Sequence, residues 1–123
     1  MIETVRVSEK ARDQLITLKR YTGIKNWNTL CRWAFCVSIR EASVPPNTDV
    51  VTDSSVEMTW RVFGGARADL YGALLKQRCR QDGFGTDPDT LATQFKLHLH
   101  RGIGYLMGDR TLRRIDALLA KVD

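Results

Sequence analysis

The sequence lacks any long hydrophobic run. None of its apolar stretches approaches the roughly 18–20 residues that a membrane span requires. Residues 1–6 show neither the basic nor the apolar segment of a signal peptide. We therefore expect a cytoplasmic protein that does not associate with a membrane.

Cysteine and histidine are also scarce. The three cysteines, Cys31, Cys36 and Cys79, cannot form an even disulfide framework, and each lies in an apolar stretch. This predicts free, mostly buried thiols in a reducing compartment. The two histidines, His98 and His100, lie two residues apart on a predicted helix and so point in nearly opposite directions. The sequence therefore predicts no metal site and no cofactor.

Recognisable catalytic motifs are missing as well. The chain has no carboxylate cluster in a metal-binding register, and no serine or cysteine has a recognisable histidine partner. An enzyme is therefore the less favoured class of protein, and no catalytic residue is assigned.

The chain does have enough apolar material for one domain. It has 123 residues, of which 43% are hydrophobic and 27% charged. Its formal net charge is +5, and most of that surplus lies near the amino terminus. Residues 1–42 hold eight Lys and Arg against four Asp and Glu, whereas residues 43–66 hold one against three. This distribution favours a polyanionic partner for the first third of the chain.

The hydrophobic pattern predicts a mainly helical fold with about five helices and two short strands. Residues 2–7 alternate as a strand does, with Val5 and Val7 on one face and Thr4 and Arg6 on the other. A second strand is predicted over residues 56–62, with Val56, Met58, Trp60 and Val62 facing the core. The predicted helices cover approximately residues 9–22, 26–41, 66–82, 87–102 and 109–122.

Helix boundaries follow from capping residues. Ser8 and Asp87 are predicted to cap the first and fourth helices, and Asn26 or Asn28 the second. Gly23 is predicted to end the first helix in the left-handed conformation. The fourth helix is predicted to end at Gly102, where a connection with several glycines begins. The second helix is apolar on several sides, which predicts contacts in an oligomer.

The N-terminal order of one strand and two helices resembles a ribbon-helix-helix unit over residues 1–42. In such a unit two strands pair across a dimer, so that Thr4 and Arg6 can enter a DNA major groove. The free N–H groups that open the second helix would bind a backbone phosphate. The alternative is that the strand pairs inside the fold and that the lysines form a solvated helix face.

Five short segments occur in a characteristic order along the chain. They are VRVSEKA at residues 5–11, GIKNWN at 23–28, WRVFGG at 60–65, LLKQR at 74–78 and LHLHRGIGYL at 97–106. Together they resemble the DndE family of DNA sulfur modification (DNA phosphorothioation) proteins, and the resemblance spans nearly the whole chain. An acid often follows the two glycines in that family, whereas this chain has Ala66 there.

The resemblance implies a small, basic, non-catalytic protein that binds duplex DNA, preferably nicked, as a homotetramer. It also implies a single DndE-like domain over residues 1–123, with a ribbon-helix-helix-like unit at 1–42 and a strand plus helices at 56–123. The implied partners are the other subunits of the modification machinery: a cysteine desulfurase, an iron–sulfur protein and an ATPase. That machinery replaces a non-bridging phosphate oxygen of DNA with sulfur.

Both arguments predict a surface that contacts backbone phosphates rather than bases. The predicted DNA-binding residues are Arg6, Lys10, Lys19, Arg20 and Lys25, and Gly23 is the structural residue that fixes the turn before Lys25. Two other functions stay open. One is a ribbon-helix-helix-type transcriptional repressor, which would read an operator through Thr4 and Arg6. The other is a scaffold subunit that holds partner proteins through its apolar second helix.

Overall fold

A computed structural model describes residues 2–109 of the chain. Its elements, in order, are β1 (Thr4–Arg6), α1 (Glu9–Thr22), α2 (Trp27–Arg40), β2 (Glu57–Thr59), α3 (Trp60–Gly64), a 3₁₀ turn (Gly65–Arg67), α4 (Ala68–Gln81) and α5 (Pro88–Gly108). The prediction of a mainly helical domain with two short strands is confirmed. The helix predicted from about residue 109 onward lies outside the described residues, and the short helix α3 was not predicted.

Helix α1 forms as its sequence predicts. The Ser8 hydroxyl accepts a hydrogen bond from the Ala11 backbone N–H at 3.1 Å, which satisfies one free donor of the first turn. Gly23 ends the helix with φ of 72°, a conformation that favours glycine. Ala11, Leu15 and Leu18 form the buried stripe. These local signals place the basic end of α1 next to the turn into α2.

The two strands pair with each other in an antiparallel sheet within the chain. Arg6 lies opposite Glu57, and Val5 lies opposite Met58. Val5 and Val7 are buried while Thr4 and Arg6 are exposed, as the alternation predicts. In the structure β1 therefore pairs with β2 of the same chain. This is the alternative that the sequence offers to pairing of two strands across a dimer.

The sequence pattern over residues 56–62 is only partly a strand. The chain turns into α3 at Trp60 because the Thr59 hydroxyl accepts a hydrogen bond from the Val62 N–H and caps a new helix. Val62, predicted to face the core, is 50% exposed. The prediction of a strand through Val62 is therefore wrong, although Val56 is buried as expected.

Helices α2 and α5 form the central pair of the fold. An added Cβ on Gly102 would lie 1.8 Å from the Ala34 carbonyl oxygen, so only glycine permits this approach of the two backbones. Helix α5 continues through Gly102 to Gly108, and the prediction that it ends at Gly102 is wrong. This glycine serves close packing between helices rather than a turn.

An aromatic cluster fills the space between α2, α3, α4 and α5. The rings of Phe35, Phe63 and Phe95 lie with centroids 5.1 to 6.0 Å apart, and Trp60 and Tyr71 pack around them. These contacts are all edge-to-face or tilted, which suits the charge distribution of aromatic rings. Through Phe95, the cluster holds α5 in place against the other helices.

Two arginines close the carboxyl end of α2. The Arg78 guanidinium, which is buried, donates to the carbonyl oxygens of residues 39, 41, 42 and 43 at 2.7 to 3.2 Å and to the Asp82 carboxylate at 2.8 Å. Arg101 donates to the carbonyl oxygens of Ser38 and Ser43, each at 2.8 Å. These positive charges bind carbonyls of the last turn of α2 and of the residues that follow it, and they oppose the negative end of the helix dipole.

The cysteines are free thiols, as predicted, with Cys31 and Cys79 buried and Cys36 half-buried. None of the helices in residues 2–109 is long and apolar enough to cross a membrane.

Candidate nucleic-acid interface

The turn between α1 and α2 brings two of the predicted lysines together. The Gly23 N–H donates to the Lys19 carbonyl oxygen at 2.9 Å, which closes the last turn of α1. The chain then reverses, so that Lys25 lies exposed just before α2. Gly23 thus has the structural role that the sequence predicts, since its left-handed backbone directs the chain toward Lys25.

Lys19 and Lys25 border one open groove of about 530 Å³ between this turn and β2. We call it the turn groove. Its lining residues are Lys19, Lys25, Asn26, Trp27, Asn28, Glu57, Met58 and Val62. Because two ammonium groups and the start of a helix share it, the groove has the features of an anion-binding surface.

Lys19 is held in place by an aromatic ring. Its ammonium nitrogen lies 3.5 Å from the centroid of the Trp27 ring. A cation over the face of a tryptophan is attracted by the ring's negative π surface. The contact reduces the freedom of a long side chain and keeps its charge at the mouth of the turn groove. The sequence does not single out Trp27 for this role.

The first turn of α2 carries positive helix-end charge without an acid to offset it. Asn26 occupies the N-cap position but its side chain makes no capping hydrogen bond, and the first turn contains no acidic residue. The Asn28 side chain instead donates to the Val62 carbonyl oxygen at 3.1 Å and accepts from the Thr29 N–H at 3.0 Å. Free N–H groups beside two lysines are typical of phosphate sites at helix starts.

Arg6 lies on β1, and its side chain is already bound to an acid within the chain. Its guanidinium forms an ion pair with the Glu57 carboxylate directly opposite, and both side chains are nearly half exposed. Glu57 also borders the turn groove. Arg6 therefore neutralises an acid next to the groove, a relationship that the sequence does not reveal because the two residues are far apart in the chain.

The remaining two predicted residues lie elsewhere on α1. Lys10 lines a separate groove of about 510 Å³ together with Asp49 and Asp53. The Arg20 guanidinium is exposed and lies 5.6 Å from the centroid of the Tyr21 ring. The structure thus brings Lys19 and Lys25 into one groove, with Arg6 near its border, and does not bring Lys10 to it.

Burial disfavours the charged forms of the thiols and histidines. Burial raises the pKa of Cys31 to about 12, and it also raises the pKa of Cys36 although Arg32 acts in the opposite direction. Burial, with the nearby Arg101 and Arg78 charges, lowers the pKa of His98 to about 4. The histidines lie apart, since the His98 Nδ1 contacts Ser38 at 2.8 Å while the His100 Nε2 accepts from the Ser8 N–H at 3.1 Å.

Within residues 2–109, no group of three or more His, Cys, Asp or Glu side chains is arranged to hold a metal ion. Because a thiolate is the reactive form of cysteine, the raised pKa values of Cys31 and Cys36 disfavour a sulfur-carrying role for these thiols.

The fold is similar to that of solved structures, among them the following two. The crystal structure of DndE from Escherichia coli B7A, involved in DNA phosphorothioation modification, aligns with a TM-score of 0.72 and 25% sequence identity, covering 86% of this chain and 98% of that one. The crystal structure of a DndE G21/24K mutant involved in DNA phosphorothioation aligns with a TM-score of 0.68 and 20% identity, covering 89% and 100% of the two chains. No curated protein sequence matches this chain significantly. The family model "DNA sulphur modification protein DndE" matches residues 4–114, and the chain therefore belongs to the DndE family.

Proposed function

We propose that this chain is a non-catalytic DNA-binding subunit of a DNA sulfur modification system. It contacts the backbone phosphates of duplex DNA through the turn groove, without reading bases. The observation that carries the proposal is the placement of Lys19 and Lys25 beside the acid-free start of α2. Phosphate contacts of this kind position a protein on DNA but convey no sequence information.

Several finer features belong to the same proposal. The chain acts in the cytoplasm, as a homotetramer, with the other subunits of the modification machinery as partners. Four copies of the turn groove would form a larger basic surface than one, which strengthens binding to a polyanion. A preference for nicked duplex is expected, because a flexible break allows two backbone segments to adapt to separate grooves.

The test is a gel-shift series on intact, nicked and single-stranded DNA of one sequence at two salt concentrations. The proposal predicts binding that weakens steeply with salt, is strongest for nicked duplex, and is displaced as well by scrambled duplex as by duplex of the same sequence. Lys19→Gln/Lys25→Gln should weaken binding to every duplex. The matched control is Lys76→Gln/Arg80→Gln on α4, which removes the same charge from a helix outside the turn groove. Equal binding by the two double variants would contradict the proposal.

A scaffold function is the second candidate, and one surface favours it. Trp33 and Tyr105, 37% and 41% exposed, border an open groove of about 690 Å³ between α2 and the end of α5. Exposed aromatic side chains of this kind are common at protein interfaces. Association with the machinery that resists nuclease, together with no binding to purified DNA, would favour the scaffold over the DNA-binding subunit.

A ribbon-helix-helix-type repressor receives less support. Its strand would need Thr4 and Arg6 free to enter a major groove, whereas Arg6 is bound to Glu57 and β1 pairs with β2. A competition assay with scrambled duplexes separates the two functions, since a repressor loses about 1–3 kcal/mol for each mismatched base pair.

A further inference from the structure

A second groove lies between β1 and α5. We call it the strand groove. It measures about 400 Å³, and its polar lining includes Thr4, Arg6, Glu57, Thr93 and Lys96. Glu57 borders both this groove and the turn groove. The two grooves therefore adjoin at the Arg6–Glu57 pair, which we call the ridge.

The ridge between the grooves carries little net charge. The Arg6 guanidinium and the Glu57 carboxylate neutralise each other where the two strands lie opposite. Without Arg6, Glu57 would present an unpaired negative charge to any anion that spans both grooves. With the pair in place, a phosphate backbone can cross the ridge without strong repulsion.

Lys96 provides the basic group on the far side of this ridge. The ion pairs within residues 2–109 join Arg6 to Glu57, Arg12 to Asp13 and Arg78 to Asp82, so Lys96 is not part of any of them. The lysine is half-buried, which limits the positions open to its ammonium group.

The backbone that carries Lys96 is rigidly placed. The preceding residue, Phe95, packs against Phe35, Trp60 and Phe63 in the aromatic cluster. The Lys96 carbonyl oxygen lies 2.7 Å from the His100 Nδ1, which donates to it because the Nε2 of the same ring accepts from the Ser8 N–H. Because the backbone at Lys96 is already fixed, little conformational entropy of the backbone is lost when the side chain binds a ligand.

We infer that the DNA-binding surface continues across the Arg6–Glu57 pair to Lys96, so that Lys96 contacts a backbone phosphate in the strand groove. The exposed Thr4 and Thr93 hydroxyls, which line the same groove, would donate to phosphate oxygens beside it. This inference rests on the proposed DNA-binding function and extends it to a residue that sequence reasoning did not select.

Duplex binding measured by fluorescence anisotropy at low salt tests the inference. Lys96→Gln should weaken binding about three- to tenfold, as expected for the loss of one charged phosphate contact. Lys96→Arg should retain most of the affinity, because it keeps the charge. Lys76→Gln, which removes a half-buried lysine from α4, should bind as the unaltered protein does. Circular dichroism of each variant shows that it is folded.

Lysine acylation read by mass spectrometry gives an independent position-specific measurement on the unaltered protein. Duplex DNA should slow the acylation of Lys96 as it slows that of Lys19 and Lys25, while Lys76 reacts at the same rate with and without DNA. The inference is overturned if Lys96 remains as reactive with DNA as without it, or if Lys96→Gln binds as well as Lys76→Gln.

The two proposals fail in different ways. If Lys19→Gln/Lys25→Gln weakens binding but Lys96→Gln does not, the turn groove is a DNA site and its extension to Lys96 is wrong. If neither variant weakens binding, the proposed function itself is wrong.

Discussion

The ammonium nitrogen of Lys19 lies 3.5 Å from the centroid of the Trp27 ring, and so joins the last turn of α1 to the first residue of α2. The contact holds a charge of α1 at the mouth of the turn groove. It also ties the orientation of Lys19 to the start of α2, whose first residues line the same groove.

Replacing Trp27 should therefore weaken DNA binding although no charge is lost. Trp27→Leu is expected to lower affinity about two- to fivefold, since a cation–π contact of this exposure contributes about 0.5–1 kcal/mol. Trp27→Phe keeps an aromatic face and should lose less. Trp33→Leu alters an exposed tryptophan that borders a different groove and serves as the control. Anisotropy titrations in which Trp27→Leu and Trp33→Leu bind equally well would contradict the role given to Trp27.

Removing the charge of Glu57 should strengthen DNA binding. Glu57→Gln takes a carboxylate away from the border of both grooves and releases Arg6 from its ion pair. We expect an increase in affinity of a fewfold, which fades at high salt because the interaction is electrostatic. Asp69→Asn makes the same charge change on the first turn of α4 and is the matched control. The expectation is wrong if Glu57→Gln binds no more tightly than Asp69→Asn.

Two glycines of α5 should respond oppositely to alanine. Gly102→Ala places a methyl group 1.8 Å from the Ala34 carbonyl oxygen, so α2 and α5 must separate, and we expect a loss of at least about 1–3 kcal/mol in the free energy of unfolding. An added Cβ on Gly104 meets nothing within 4 Å. Gly104→Ala should therefore be neutral or stabilising by up to about 1 kcal/mol, because alanine favours helix. Urea unfolding followed by circular dichroism compares them, and similar values for the two variants would refute the close approach of these helices.

Stability should fall between about pH 6.5 and pH 4. The pKa of His98 drops from 6.5 to about 4 in the fold because burial disfavours the charged ring, with the Arg101 and Arg78 charges adding to this. Below pH 6.5 the imidazole of His98 is protonated in the unfolded chain but stays neutral in the folded chain. Acidification therefore lowers the free energy of unfolding, by at most roughly 3 kcal/mol. The effect levels off below the folded pKa, where both states bind the proton. Burial lowers the pKa of His100 too, which adds in the same direction.

His98→Gln removes this titration and should flatten the pH profile of the unfolding free energy over that range, leaving the smaller contribution of His100. Hydrogen bonds lower the pKa values of Glu41 and Asp87. The stabilisation that these carboxylates contribute is therefore lost mainly at pH values below the range in which His98 acts. Denaturant midpoints at several pH values test this, and an equally steep profile for His98→Gln would show that His98 does not cause the dependence.

The elements that could be predicted from sequence are those fixed by neighbouring residues. Helix α1 has a serine cap, a buried stripe and a left-handed glycine within one short segment, and its predicted limits hold. The strand β1 shows its two faces through simple alternation. Lys19 and Lys25 belong to the predicted basic set of the first third of the chain, and only a short turn separates them.

Features that depend on distant residues could not be predicted. Gly102 has the sequence appearance of a helix stop, but α5 continues through it, and its close approach to Ala34 is visible only in the fold. Thr59 is a strand residue by pattern, but its hydroxyl starts a helix. The pairing of Arg6 with Glu57 requires knowing that β1 pairs with β2, and without it Arg6 is taken for a free phosphate ligand.

The salt dependence of duplex binding tests the central claim most directly, because each phosphate contact releases counterions and contributes about 0.9 to the slope of log affinity against log salt concentration on B-DNA. For Lys19→Gln/Lys25→Gln, the account predicts a slope smaller by about 1.8 per protein chain in contact, with no change for Lys76→Gln/Arg80→Gln. An unchanged slope for Lys19→Gln/Lys25→Gln would contradict the assignment of the turn groove as the DNA-binding surface.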